Sequence, residues 1–80
     1  MVRSMIRVTV SLFGEYRKYA GDAEFQMEVD EGATPRTIAE KLGIPQTPSL
    51  WALVNGKREK LDHPLQPGSK VFLFQPVGGG

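Results

Sequence analysis

The groups in this chain able to do chemistry are few, and they converge on one end. Cysteine is absent, which removes thiolate nucleophiles, thiolate metal ligands and disulfides. The single histidine, His63, sits between Asp62 and Pro64 in a turn and has no second histidine or cysteine to complete a metal set. It reads as a structural or solvated group. Asp30-Glu31 reads as a solvated pair in a turn, not an acid–base dyad. That leaves Gly78, Gly79 and Gly80: a thin length of backbone, without side chains, ending in one carboxylate. This is not a phosphate loop, because no helix follows it. Two readings stand here: a frayed end, or a reactive carboxylate on a short, narrow leash.

The elements that must position that carboxylate are short. Val71 to Phe74 is apolar, aromatic and β-branched, the signature of a buried strand. Pro76 ends it, having no amide to donate. Upstream, Met1 to Met5 reads as frayed. Ile6, Val8, Val10 and Leu12 alternate with Arg7, Thr9 and Ser11, a strand with one buried face. Phe13 breaks the alternation as an apolar residue at an outward position. Glu15 to Ala20 reads as a helical turn. Ala23 to Val29 alternates again, with Phe25, Met27 and Val29 inward, and forms an antiparallel pair with the first strand. Thr34-Pro35 is a helix start, with Ile38, Ala39 and Leu42 at helical spacing and Gly43 as the C-terminal cap. Leu50 to Val54 is a third strand, Asn55-Gly56 a hairpin turn, and Arg58 to Leu61 a short fourth strand. The order is strand, strand, helix, strand, short strand, strand. It predicts an α+β β-grasp (ubiquitin-like) roll, a mixed sheet with one main helix in which the first and last strands are parallel central neighbours. The predicted partition is a folded domain over 1–77 and a flexible glycine tail over 78–80.

Composition narrows the functional class. With 80 residues, 40% hydrophobic and 24% charged, the chain is one small globular domain with a modest core. A net charge of +1 gives no field that would gather nucleic acid or a membrane surface. The basic cluster Lys57-Arg58-Glu59-Lys60 includes an acid and reads as a solvated hairpin edge. No apolar run approaches the roughly 18 residues of a membrane span. The start MVRSMIRVTVSLF lacks the small-residue cleavage site of a signal peptide. The expectation is a cytoplasmic protein without nucleic-acid or membrane partners and without a metal.

Strand parity adds a surface. With Val71 and Leu73 facing the helix, Phe72 and Phe74 face away, and so do Phe13, Trp51 and Leu53. One short helix cannot cover both faces of a sheet. The outer face should therefore carry an apolar patch beside the root of the tail, a docking surface for another protein.

The chain resembles the MoaD/ThiS sulfur-carrier family, most nearly its branch of molybdopterin synthase small subunits. The resemblance spans nearly the whole chain. It rests on LFGEYR (Leu12 to Arg17), on Val54 to Gly80, and on the pattern HPL-x-x-G-x-x-V-x-x-F-x-PV-x-GG from His63 to Gly80. Phe13-Gly14 with Arg17 favours the molybdopterin branch over the thiamine carriers. The resemblance implies that an E1-like adenylating enzyme uses ATP to convert the Gly80 carboxylate to an acyl-adenylate. A sulfur donor then makes it a thiocarboxylate, which delivers sulfur to a pterin precursor inside the molybdopterin synthase large subunit. No cofactor is bound to the carrier itself, which is not catalytic alone. A carboxylate is a poor electrophile until one oxygen leaves as a phosphate ester, and the product needs no cysteine to be nucleophilic. Gly78 and Gly79 let the tail thread a narrow channel, and the tether raises the local concentration of the reacting end.

By the same resemblance Phe13 and Phe74 match family aromatics that pack on partners, with Leu53, Phe72 and Val77 completing the partner-binding set. Arg58 stands where an apolar patch residue is expected. Gly78 replaces a more variable residue ahead of the usual terminal pair. Alternatives within the same fold are a ubiquitin-like protein modifier, a thiamine-type sulfur carrier and a passive binding module.

Overall fold

The structure, a computed structural model, describes residues 4–21 and 23–76. The expectations placed on Met1 to Arg3, on Val77, and on Gly78, Gly79 and Gly80, the 77/78 domain boundary included, lie outside the described residues.

Five strands form one mixed sheet: β1 (Met5–Leu12), β2 (Glu24–Asp30), β3 (Trp51–Val54), β4 (Lys57–Glu59) and β5 (Lys70–Phe74), in the spatial order β2-β1-β5-β3-β4. β1 and β5 are central and parallel, in the register Val10↔Val71 and Leu12↔Leu73. The flanking pairs, β1 with β2 and β5 with β3, are antiparallel. This is the topology expected of a β-grasp roll. Parallel neighbours cannot be joined by a tight turn. Here most of the chain, including the helix, lies between them.

One helix, α1 (Pro35–Leu42), covers the inner face. It starts where expected: the Thr34 hydroxyl accepts from the Thr37 amide at 3.2 Å, and the Thr37 hydroxyl accepts from the Thr34 amide at 3.3 Å, a reciprocal cap. Pro35 opens the first turn and Gly43 closes the helix at φ +79°. Eight residues are too few for an isolated helix, so α1 is held by packing. Ile38 and Ala39 are fully buried against the inner side chains of β1, β5 and β3, Val8, Val10, Val71, Leu73 and Ala52 among them. The helix start is also tied to the turn after β4. Arg36 donates to both carboxylate oxygens of Asp62, at 2.8 and 3.3 Å, and holds that carboxyl below its ordinary pKa.

Several boundaries differ from expectation. Met5 begins β1 because the Ser4 carbonyl already accepts from Glu31 at 2.9 Å. A 3-10 helix over Gly14–Tyr19 replaces the turn expected at Glu15 to Ala20, and buries Tyr16, whose phenol is pushed above its usual pKa by that burial. β2 runs one residue later than expected, and β3 starts at Trp51. β4 is Lys57–Glu59, not Arg58 to Leu61. Its two-residue turn starts pairing at once, Val54↔Lys57, and pairing ends at Ala52↔Glu59 as the chain turns off toward Asp62.

Two turns set the approach of β5. Ser69, the buried polar residue among those described, donates to the Gln66 carbonyl at 2.7 Å and accepts from the Gln66 amide at 3.1 Å. That tight turn launches β5 beside β1. Asn55 and Gly56 have φ of +53° and +84°, the left-handed pair of a type I′ hairpin. Asn55 Oδ1 then accepts from the Lys70 amide at 2.9 Å, pinning the hairpin to β5. Gly56→Val should cost about 1–2 kcal/mol, because a β-branched residue resists positive φ. The midpoint of a thermal melt should fall by on the order of 5–10 °C for a domain of this size. An unchanged melt would mean the turn relaxes into another type.

Candidate functional site

Alternation along the strands leaves one face of the sheet turned away from α1, and that face is divided in two. On β1 and β2 it is polar apart from Met5, exposed at the start of β1. Arg7 faces Glu28 in register and donates to it at 3.2 Å, and Ser11 faces Glu24 at 3.2 Å. On β5 and β3 it is apolar. Phe72 and Phe74 point outward, paired in register with Leu53 and Trp51, while their neighbours Val71 and Leu73 are buried on the other side.

The rings form a continuous row. Phe13 lies 5.8 Å from Phe72, Phe72 lies 5.5 Å from Phe74, and Phe74 meets Trp51 edge-on at 6.1 Å. These are ordinary aromatic contact distances. Phe13, where β1 ends, is 57% exposed, a large value for phenylalanine. Its backbone is fixed: the amide donates to the Leu73 carbonyl at 3.2 Å and the carbonyl accepts from Tyr16. Phe72, Phe74, Trp51 and Leu53 are half-buried. The structure therefore brings Phe13, Leu53, Phe72 and Phe74 together as the parity argument required. The fifth residue of that set, Val77, lies outside the described residues.

One contributor was read only in part from sequence. Arg58 is exposed on the edge strand, as expected, but it also makes a contact that the sequence reading lacked. Its guanidinium carbon lies 3.3 Å from the centre of the Trp51 ring and closes the aromatic row at its β4 end. The signal was present in the hairpin. The turn at Asn55-Gly56 pairs Leu53 with Arg58, which puts Arg58 on the outward face and makes Trp51 its diagonal neighbour.

Phe74, the third ring of the row, is also the last residue of β5. Phe74 is followed by Gln75 and Pro76, and the four remaining residues can reach at most about 14 Å from Pro76 when extended. His63 Nε2 lies 3.2 Å from Glu59, a local contact. Among the described residues, no group of three or more His, Cys, Asp or Glu side chains is placed to hold a metal, and no helix is long and apolar enough to cross a membrane.

Comparison with known proteins gives the same frame. The profile of the ThiS family matches residues 10–80. A search of curated proteins gave no match. Among solved structures, a putative molybdopterin converting factor subunit 1 from Pyrococcus furiosus is similar at 27% identity, covering 90% of this chain and 99% of that one, with a TM-score of 0.73. The small archaeal modifier protein 1 of Haloferax volcanii is similar in fold at 21% identity, with coverage of 90% and 99% and a TM-score of 0.75. Subunit 1 in a complex of subunits 1 and 2 of the molybdopterin-converting factor from Helicobacter pylori is similar in fold at 20% identity, with coverage of 94% and 100% and a TM-score of 0.61.

Trp51 is the chain's single tryptophan, so its fluorescence reports on this face. With one ring face covered by Arg58, acrylamide should quench it more steeply in Arg58→Ala than in the wild type. Equal quenching would mean that the stack does not persist in solution.

Proposed function

The chain belongs to the ThiS family, within the MoaD/ThiS sulfur carriers, and on that premise we propose that Gly80 carries the sulfur as a C-terminal thiocarboxylate for molybdopterin synthesis. The observation that carries this reading is the continuous aromatic row from Phe13 to Trp51, built onto the strand that leads directly into the tail. The surface and the carboxylate are inseparable in the chain, so whatever docks on one receives the other.

The chemistry runs in two steps. The Gly80 carboxylate attacks the α-phosphate of ATP held by an E1-like adenylating enzyme, and pyrophosphate leaves. A donor at the sulfide oxidation level then attacks the acyl carbon, a C–S bond forms and AMP departs. Gly78 and Gly79 admit the chain end to channels too narrow for side chains. The second docking partner is the large subunit of molybdopterin synthase, where the thiocarboxylate sulfur displaces an oxygen substituent from a carbon of a pterin precursor and water then cleaves the acyl C–S bond, restoring the Gly80 carboxylate and leaving the sulfur on the pterin. The similarity at 27% identity to a putative molybdopterin converting factor subunit 1 supports this pathway.

Two experiments test the reading. Incubation with the adenylating enzyme of the same organism and ATP should release pyrophosphate, and deleting Gly80 should abolish that release while leaving the thermal melt nearly unchanged. Pyrophosphate release by the truncated chain would remove Gly80 from the mechanism. Separately, Phe74→Ala should keep the fold but weaken binding to the adenylating enzyme and to the large subunit by about 2 kcal/mol or more, as truncation of a central interface aromatic does. Calorimetry showing unchanged affinity for both would mean that the aromatic row is not the docking face.

A further inference from the structure

Arg58 is a charged residue built into an apolar docking row, and its geometry is specific. The stack on Trp51 occupies the flat face of the guanidinium. It leaves the in-plane N–H donors, which lie at the edge of the group, to be satisfied elsewhere. Among the described residues Arg58 makes no hydrogen bond or ion pair. The acids beside it are taken: Glu59 meets His63 at 3.2 Å, and Asp62 accepts from Arg36 at 2.8 Å. Arg58 also lines an open groove of about 530 Å³ at the β4 edge, where Lys60 is a second cation without an ion pair among the described residues. Across the outer face the character runs from the polar pairs of β2 and β1, through the aromatics of β5 and β3, to Arg58 on β4.

We propose that Arg58 selects the adenylating partner: the surface of the E1-like enzyme that covers Phe72 and Phe74 presents a carboxylate side chain in the plane of the Arg58 guanidinium, which receives two parallel N–H···O bonds. The proposal rests on the docking reading above and adds the chemistry of the partner. Ring stacking holds the guanidinium in one orientation, so little freedom is lost when a carboxylate binds. Docking removes water from the row. A partner with an apolar residue opposite Arg58 would strand its donors, whereas a carboxylate satisfies them with charge-assisted bonds. Arg58 thereby discriminates between partners that the apolar row alone would accept equally.

Isothermal titration of the full chain with the E1-like adenylating enzyme of the same organism, at low and high salt, tests this. The variants are Arg58→Gln, Arg58→Leu and Arg58→Glu, each checked by its thermal melt, with Phe74→Ala as the control. Loss of a charge-assisted pair should raise Kd at least about tenfold for Arg58→Gln and Arg58→Leu at low salt, and more for Arg58→Glu. Most of the salt dependence of the wild type should vanish with the charge. Wild-type affinity and salt dependence in Arg58→Leu would overturn the proposal and leave Arg58 as a cover for Trp51. If Phe74→Ala weakens binding while the Arg58 variants do not, only the partner chemistry is wrong. If Phe74→Ala binds normally as well, the docking face itself is wrong.

Discussion

Parallel pairing of the first and last strands is the constraint on which the rest depends. It places β5 at the centre of the sheet, hydrogen-bonded on both edges, with Val71 and Leu73 fully committed to the core and Phe72 and Phe74 fully committed to the other face. A C-terminal strand at the sheet edge could slip or fray. A central one cannot move without breaking two ladders and the packing beneath α1. The last described stretch, Gln75-Pro76, therefore leaves the sheet directly from a central strand.

The second constraint is the size of the helix. A sheet of five strands covered by eight residues of helix has one bare face, and the sequence treats the two halves of that face differently. Over β1 and β2 it places cross-strand polar pairs, Arg7 with Glu28 and Ser11 with Glu24, which need no cover. Over β5 and β3 it places aromatic rings, which gain from being covered. The boundary runs along β1, where Ser11 stands beside Phe72 in register. The chemistry of the face thus changes within one strand spacing, and it is the apolar half that the proposed docking uses.

Much of this was legible in the sequence because it is local physics. Period-two alternation gave the faces of β1, β2 and β5, the Thr34-Pro35 start and Gly43 stop bounded α1, and Asn55-Gly56 announced its turn through a need for positive φ. Phe13 was conspicuous because it violated the alternation. What was missed depends on relations between distant residues. The tie from Arg36 to Asp62 joins positions 26 apart, and neither sits in a motif. Arg58 looked like an edge charge and nothing more because its neighbours in sequence are charged. Its real neighbour, Trp51, is diagonal to it across the hairpin and follows only from the register. Strand ends shifted by a residue or two because propensity does not specify where a ladder loses its partner.

The central claim, that Gly80 carries sulfur, is tested most directly by the intact mass and C-terminal peptide of the protein isolated from its own host under conditions that preserve acyl sulfur. The expected result is a population in which one oxygen of the terminal carboxylate is replaced by sulfur, confined to the peptide ending at Gly80 and lost on alkaline hydrolysis. Isopeptide adducts of Gly80 with lysines of other proteins, with no sulfur-bearing form, would contradict the carrier account and make the chain a protein modifier on the same fold.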